Sequence, residues 1–249
     1  MTISVITITS SLSMFRVQSS LALTDVECEV LVGVNAKQQS KPLADNKIKI
    51  YFQSTRVLGI RKNNLISLAK GDWILLLDTD EIPSKELLDE IKDKVTNGPE
   101  NIHGYEIPYQ NYVFEKPVYY GGERYSKVRL FRKKYGTVTP VPIHEEVVVQ
   151  GKIGKLNGVL RHYSYRNPWQ VLVKFTRYAW LIAGEKNKKR ESVTVSKLFL
   201  YGPHMFWARC IEEDGWRDGW RGVVLAKFFG YMEGMTYWLL LWRSLVQHI

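Results

Sequence analysis

Trp73-Ile74-Leu75-Leu76-Leu77-Asp78-Thr79-Asp80-Glu81 is the stretch that decides the fold of this chain. Apolar residues suited to a sheet interior run straight into Asp78, Asp80 and Glu81, which places those carboxylates at the carboxyl end of a buried strand. Open α/β sheets bind their ligands at that end. Crowded carboxylate oxygens there suit a hard divalent cation, magnesium or manganese, which commonly arrives with a diphosphate. An acidic turn leading into the next helix fits the same spacing, because Pro83-Ser84-Lys85-Glu86 reads as a helix start. On spacing alone both readings stay open.

On the amino-terminal side, Ile3-Ser4-Val5-Ile6-Thr7-Ile8 and Glu29-Val30-Leu31-Val32-Gly33-Val34 are short β-branched runs. A helix-compatible stretch at 57–69 stops at Lys70-Gly71-Asp72, just before the central strand, and 87–95 has apolar residues at helical spacing. Strand, helix, strand, helix in this order predicts a mostly parallel sheet with helices on its faces. From His103 to His162 the pattern changes to short extended pieces between Gly and Pro turns: Tyr105-Glu106-Ile107, Val128-Arg129-Leu130-Phe131, Glu146-Val147-Val148-Val149 and Val159-Leu160. These predict an antiparallel insert. Arg124, Lys127, Arg129, Arg132, Lys133 and Lys134 form a basic cluster within it, either a solvated face or a phosphate-recognition surface.

After Pro168 the chain reads as helical. Trp169, Leu172, Phe175, Ala179 and Ile182 recur at helical spacing ahead of the basic run 186–190; further helices are expected at 195–210 and from about Gly219 onward. The last is very apolar and aromatic, yet Glu233 interrupts it and it falls short of an uncharged spanning segment. It suits either the headgroup layer of a membrane or burial against protein, a second subunit included. The expected division is a sheet-based domain over 1–165 and a helical region over 166–249.

A formal charge of +10 calls for a polyanionic partner: nucleic acid, anionic lipid or a phosphorylated substrate. Cys28 and Cys210, far apart in a cysteine-poor chain, argue against a disulfide scaffold and read as core thiols of a reducing compartment. Met1 leads almost directly into a strand-like run, with no basic segment and apolar signal core, so secretion is not expected. Several motifs are excluded. There is no Gly-x-Gly-x-x-Gly and no P-loop; Val148 stands where a zinc-protease motif opening at His144-Glu145 needs its second histidine; Ile82 and Pro83 spoil an EF-hand beginning at Asp78.

The run Arg61-Lys62-Asn63-Asn64-Leu65-Ile66-Ser67-Leu68-Ala69-Lys70-Gly71-Asp72, continuing through the opening stretch to Glu81, resembles the core signature of family 2 glycosyltransferases with the GT-A fold. The resemblance is to small bacterial enzymes that add sugars to lipopolysaccharide core and related surface glycans. It continues through Tyr105-Glu106-Ile107-Pro108, Val128-Arg129-Leu130-Phe131-Arg132 and Ile143-His144-Glu145, and more weakly through Asp218-Gly219-Trp220-Arg221-Gly222.

The resemblance implies a GT-A-like α/β fold, and inverting transfer of a sugar from a nucleotide-sugar donor, a UDP-sugar being favoured, to a glycan or lipid-linked acceptor. By it Asp80 is a metal ligand, Asp78 contacts the metal or the donor ribose, Glu145 is the catalytic base, and Asn35, Arg61, Asn64 and His144 line the donor. Asp214 and Asp218 are reserve candidates for the base. Manganese or magnesium is the expected cofactor. Expected partners also include an anionic membrane surface at the cytoplasmic face of the plasma membrane and a second copy of the chain, with no nucleic acid. The chain departs from the family pattern early: Thr9-Ser10-Ser11 replaces the usual loop after the first strand, and Asn35 stands near the end of the second strand in place of an aspartate. A metal-dependent nucleotidyltransferase and a non-enzymatic basic protein binding membrane or nucleic acid are the competing classes.

Overall fold

The computed structural model describes residues 2–9, 28–35, 48–55, 57–141 and 145–246. Within these the chain forms two packed units, one made of 1–109 with 126–162 and the other of 110–125 with 163–249. The segment 110–125 therefore packs with the helical carboxyl-terminal region.

In the first unit β1 (Ile3–Thr9), β2 (Cys28–Asn35), β3 (Ile48–Gln53) and β4 (Trp73–Leu76) run parallel in the order β3-β2-β1-β4. β5 (Glu81–Pro83) follows the acidic turn, and β6 (Ile102–Val113) and β8 (Ser126–Arg132) continue the sheet beyond β4. β8 lies antiparallel between β4 and β6, with Leu75 opposite Leu130 and Tyr105 opposite the same leucine on the other side. Val5, Ile6, Leu31, Ile74, Leu75 and Leu76 are fully buried, as expected of strands covered on both faces.

α1 (Leu58–Leu68) and α2 (Lys85–Asn97) are the helices of this unit. α2 starts where Ser84 leaves extended backbone and its hydroxyl accepts the Leu87 N–H at 3.2 Å; Leu87, Ile91 and Val95, one turn apart, are its buried face. α1 begins without a side-chain cap and buries Arg61 and Lys62 alongside Leu65 and Ile66. Lys133 binds the carbonyls of Ser67 and Ala69 at its end, the usual place for a cation on a helix. β9 (Gly136–Val138) and β10 (Val147–Val149) form a small antiparallel ladder, and Asn63 of α1 clamps Val138 through both its carbonyl and its N–H. β11 (Lys152–Lys155) joins β6 in parallel, and the first residues of β12 (Leu160–Tyr165) pair with β5.

A polar strap ties the amino ends of the parallel strands. Glu29 of β2 accepts from Ser4 of β1 at 2.7 Å, from Lys49 of β3 and from the Lys70 N–H, while the Gly71 N–H donates to Ser4 Oγ at 2.8 Å. Burial opposes ionisation of Glu29, but the hydrogen bonds from Lys49, Lys70 and Ser4 outweigh it and hold its carboxyl below the usual range.

The second unit contains β7 (Lys116–Pro117), α3 (Pro168–Lys188), α4 (Val195–Trp207) and α5 (Trp220–Val246). Asn167 and Thr194 cap α3 and α4, and Pro168 sits in the first turn of α3, where its missing N–H costs nothing. A π-turn at Ala208–Glu212 and a 3₁₀ turn at Gly215–Asp218 link α4 to α5. Val113, Val118, Val171, Phe175 and Leu225 form one core, and Ala183, Tyr237 and Leu240 another. Cys28 is half-buried, and Cys210 is buried as a free thiol.

Candidate active site

β4 delivers its chain direction to a tight acidic turn. The Leu77 N–H still bonds to Ile6 of β1; then the Asp78 N–H donates to Glu81 Oε2 at 2.9 Å and the Glu81 N–H returns to the Asp78 carbonyl at 3.1 Å. Glu81 is only 1% exposed, so a carboxylate stands buried beneath the turn. A buried carboxylate needs partners, and it has them: Arg129 Nη2 at 2.7 Å and the Tyr109 hydroxyl at 2.7 Å, both on Oε1. Arg129 Nε in turn donates to Tyr109, and its Nη2 also reaches Asp78 Oδ2 at 2.9 Å.

The other Asp78 oxygen faces Lys62 Nζ at 3.1 Å, and the same ammonium lies 3.1 Å from Glu145 Oε1. Lys62 is 4% exposed. A single buried cation on α1 thus joins the strand-end aspartate to the carboxylate preceding β10. Burial would raise the Asp78 carboxyl, but the charges of Arg129 and Lys62 and the hydrogen bonds from both together hold it far below the usual carboxylate range. Arg129 is likewise disfavoured by burial and more than compensated by Glu81 and Asp78. Burial, opposed in part by the Arg129 charge, pushes the Tyr109 phenol far up and keeps it a neutral donor.

Asp80 has a different neighbour. Its Oδ2 lies 3.5 Å from His162 Nε2; His162 pairs with Glu81 across β5 and β12, and its ring meets Tyr109 edge-on at 5.6 Å. Among the described residues no group of three or more His, Cys, Asp or Glu gathers into a metal cage. With one Asp78 oxygen on Lys62 and the other on Arg129, the donor set suits an ion held by Asp80 and His162 and completed by substrate oxygens, as small hard cations are often bound.

The remaining residues from the sequence reading fall in several places. Arg61 is buried on the opposite side of α1 from solvent, where Nη2 donates to the Gly33 carbonyl near the carboxyl end of β2 at 3.1 Å. Asn35 ends β2 opposite Gln53 in the β2–β3 ladder. Asn64 Nδ2 lies 3.4 Å from Gln53 Oε1 on an exposed stretch. His144 lies outside the described residues. In the second unit Asp218 accepts the Tyr119 and Tyr120 N–H groups, and Asp214 pairs with Arg217.

The basic cluster forms no single face. Arg129 is buried among carboxylates, Arg132 stacks over Trp73 at 4.8 Å, Lys133 caps α1, and Arg124 lies over Tyr119 and Tyr120. Tyr109, Arg129 and His162 are the groups that sequence reasoning did not place at the site; Lys62, next to Arg61 in the signature run, is expected from the sequence to add positive charge near the diphosphate. One signal was available for its burial: it stands four residues before the apolar Ile66, hence on the same helical face.

Gly59 sets how closely α1 approaches Thr139. A Cβ there would stand 2.1 Å from the Thr139 carbonyl oxygen. Thr139 holds Glu146 twice, through its N–H to the Glu146 carbonyl and its hydroxyl to the Glu146 N–H, both at 2.9 Å. The helix therefore packs directly against the residue that clamps Glu146, the neighbour of Glu145.

Comparison with known proteins gives a family match over residues 32–166, to the model described as "Glycosyl transferase family 2". Glycosyltransferases described as uncharacterized from Rickettsia prowazekii and Rickettsia typhi are each 28% identical over 130 residues, a match spanning 45% of this chain and 42% of theirs. The alignment thus covers less than half the length of these relatives. Among solved structures, S. aureus TarS 1-349 in complex with UDP is 14% identical, covers 100% of this chain and 92% of its own, and superimposes with a TM-score of 0.45. The complex of the same protein with UDP-GlcNAc is 16% identical, covers 100% and 92%, and has a TM-score of 0.43. The family match spans the parallel strands from β2 onward, the acidic turn, Lys62, Arg129 and Glu145, and takes in more than half of the sequence. The chain is a member of glycosyl transferase family 2, built on the GT-A-like arrangement of parallel strands and acidic turn that its sequence resembles.

Proposed function

We propose that the protein moves a sugar from a nucleoside-diphosphate donor to a hydroxyl group of a glycan or lipid-linked acceptor, with inversion at the anomeric carbon. The observation that carries this reading is the Asp78–Lys62–Glu145 bridge at the carboxyl end of β4. It sets a carboxylate able to take a proton beside a buried cation able to meet a departing phosphate. In the reaction the acceptor oxygen bonds to the anomeric carbon and its proton passes to the Glu145 carboxylate. The bond from that carbon to the β-phosphate oxygen breaks, and the electron pair leaves on the diphosphate. Lys62 and Arg129, oriented by Asp78, place positive charge where that negative charge develops.

Asp80 and His162 are the residues that would hold a divalent ion. Such an ion supplies Lewis-acid neutralisation of the leaving diphosphate. Arg61 and Asn35, near the carboxyl end of β2, are assigned to the nucleoside, with Asn64 beside them. His144 is assigned to orient Glu145 or the diphosphate. Transfer to lipopolysaccharide core or a related surface glycan at the cytoplasmic face of the plasma membrane is the pathway class that the sequence resemblance favours.

A thermal-shift screen of UDP, GDP, dTDP and CMP sugars, with and without manganese, tests the donor and the metal together, since a ligand stabilises the fold according to its occupancy. One donor should raise the melting temperature in a metal-dependent manner, and Asp80→Ala should remove that dependence. Glu145→Gln should keep the donor shift while transfer falls by roughly 10²–10⁴-fold. Full turnover by Glu145→Gln would remove Glu145 from the base position. Release of pyrophosphate in place of a nucleoside diphosphate would reassign the reaction to nucleotidyl transfer.

A further inference from the structure

The helical unit keeps one long apolar face uncovered. Along α5, Trp220, Lys227, Tyr231, Trp238, Trp242 and Leu245 fall within a narrow stripe at the helical period, and all six are exposed. Trp220, Trp238 and Trp242 are 57%, 47% and 51% exposed. The opposite face, with Gly222, Leu225, Ala226, Thr236, Tyr237 and Leu240, is buried. Lys227 is the single residue of the exposed stripe charged at neutral pH. Glu233 lies on the other side of the helix, near Lys186 and Glu191, where burial raises its carboxyl.

Beside the stripe runs a groove of about 550 Å³ between α4 and α5. Its floor follows Gly202, Gly230 and Gly234, and Phe206, Tyr231 and Trp238 wall it, with Lys227 among its lining residues. The glycines create it. A Cβ on Gly202 would come within 2.9 Å of the Gly230 carbonyl, so the helices cross at backbone distance and leave a trench alongside. α4 adds exposed Val195, Phe199, Leu200 and Trp207. Among the described residues of this unit three tryptophans carry an arginine over the ring: Arg243 on Trp180 at 4.1 Å, Arg221 on Trp220 at 4.6 Å and Arg217 on Trp216 at 5.5 Å.

We propose that this unit seats in the headgroup layer of an anionic bilayer, with a phospholipid acyl chain lying in the α4–α5 groove and its phosphate near Lys227. No helix among the described residues is long and apolar enough to cross a membrane. A surface of tryptophan and tyrosine rings flanked by arginine and lysine is the composition that settles at a bilayer interface. The formal charge of +10 complements anionic headgroups and opposes apposition of two copies. The groove is lined almost wholly by glycine, apolar and aromatic residues with Lys227 among them, a lining that suits an acyl chain beneath an anionic headgroup. The inference is independent of the transfer reaction.

The test uses the full chain and vesicles of phosphatidylcholine, with and without phosphatidylglycerol, carrying brominated acyl chains. The protein should pellet with the anionic vesicles, less so as salt rises, and its tryptophan fluorescence should be quenched. Trp238→Phe should remove a distinct share of that quenching. Gly234→Leu fills the groove, and its Cβ meets only Gly202 Cα at 3.7 Å, so the backbone need not move. It should weaken vesicle binding about tenfold, the equivalent of roughly two buried methylenes. Lys227→Glu should weaken binding to anionic vesicles and leave neutral ones unchanged; being an exposed position, it serves even if the leucine variant folds poorly. Absence of pelleting with phosphatidylglycerol, or Gly234→Leu and Lys227→Glu binding as the parent does, overturns the proposal. So does a dimer in sedimentation velocity that Gly234→Leu dissociates while vesicle binding stays absent, which would give the face to a second copy. Donor-induced thermal shift, read on the same variants, reports the catalytic unit separately.

Discussion

Arg129→Met tests whether the site is held together from beneath. The methionine keeps most of the volume but removes a guanidinium that is 9% exposed and bonded to Glu81, Asp78 and Tyr109. Glu81, at 1% exposure, then keeps the Tyr109 hydroxyl and the Asp78 N–H as donors but loses the cation bonded to it, leaving Lys127 as a more distant countercharge. Breaking a buried ion pair from one side costs about 3–5 kcal/mol. For a protein of this size that is a fall of roughly 6–20 °C in melting temperature, at about 2–4 °C per kcal/mol. Glu81→Gln should cost less, because Arg129 retains Asp78 and the amide oxygen can still accept from Tyr109. The double variant should be more stable than the sum of the two losses predicts, with a coupling of about 1–3 kcal/mol. Urea unfolding of the parent, both singles and the double measures this directly. A loss below about 1 kcal/mol for Arg129→Met, or additivity within about 0.5 kcal/mol, would refute the buried-network account.

Gly59→Ala should drive the Thr139 clamp away from α1 and displace Glu145, lowering turnover more than donor affinity; an unchanged kcat with the variant folded would show the clamp to be irrelevant. Stability should also have an acid limb set by Asp78. A depressed folded pKa means the unfolded chain binds the proton first, so this contribution is complete above the ordinary aspartate value of about 4 and drains away as pH falls below it. Melting temperatures from pH 7 to pH 3 should therefore fall less steeply in Asp78→Asn than in the parent, and parallel curves would count against the assignment. Ser84→Ala removes the cap of α2 and should cost about 1 kcal/mol in the same unfolding assay.

The sheet and its helices were legible because their signals are periodic. The apolar run before Asp78 became β4, the 87–95 pattern lies within α2, and the spacing from Trp169 became α3. The helix expected over 195–210 ends as α-helix at Trp207 and widens into a π-turn through Cys210, a change of hydrogen-bond register with no clear sequence mark. The carboxylates were legible too, since acidic residues at a strand end are conspicuous. Their partners were less so. Lys62 is legible only as a positive charge beside Arg61, not as a buried bridge, and Arg129 is a buried cation where hydrophobic patterning assigns charged residues to the surface. Arg129 sits inside a run of six basic residues, yet β8 is covered on both faces at Arg129, Leu130 and Phe131, so the residue is inside because its strand is. His162 and Tyr109 reach the turn only through pairings between strands distant in sequence.

The Glu29 strap separates two tasks along each strand. By binding Ser4, Lys49 and the Lys70 N–H, it fastens β1, β2, β3 and the approach to β4 at the end away from Asp78. A slip of one residue would move every side chain to the other face of the sheet and mismatch both packed layers, and the strap resists it without help from the opposite ends. The loops at those ends are then free to diverge, and a lineage built on this sheet can change donor or acceptor by altering loops while inheriting its strand alignment intact.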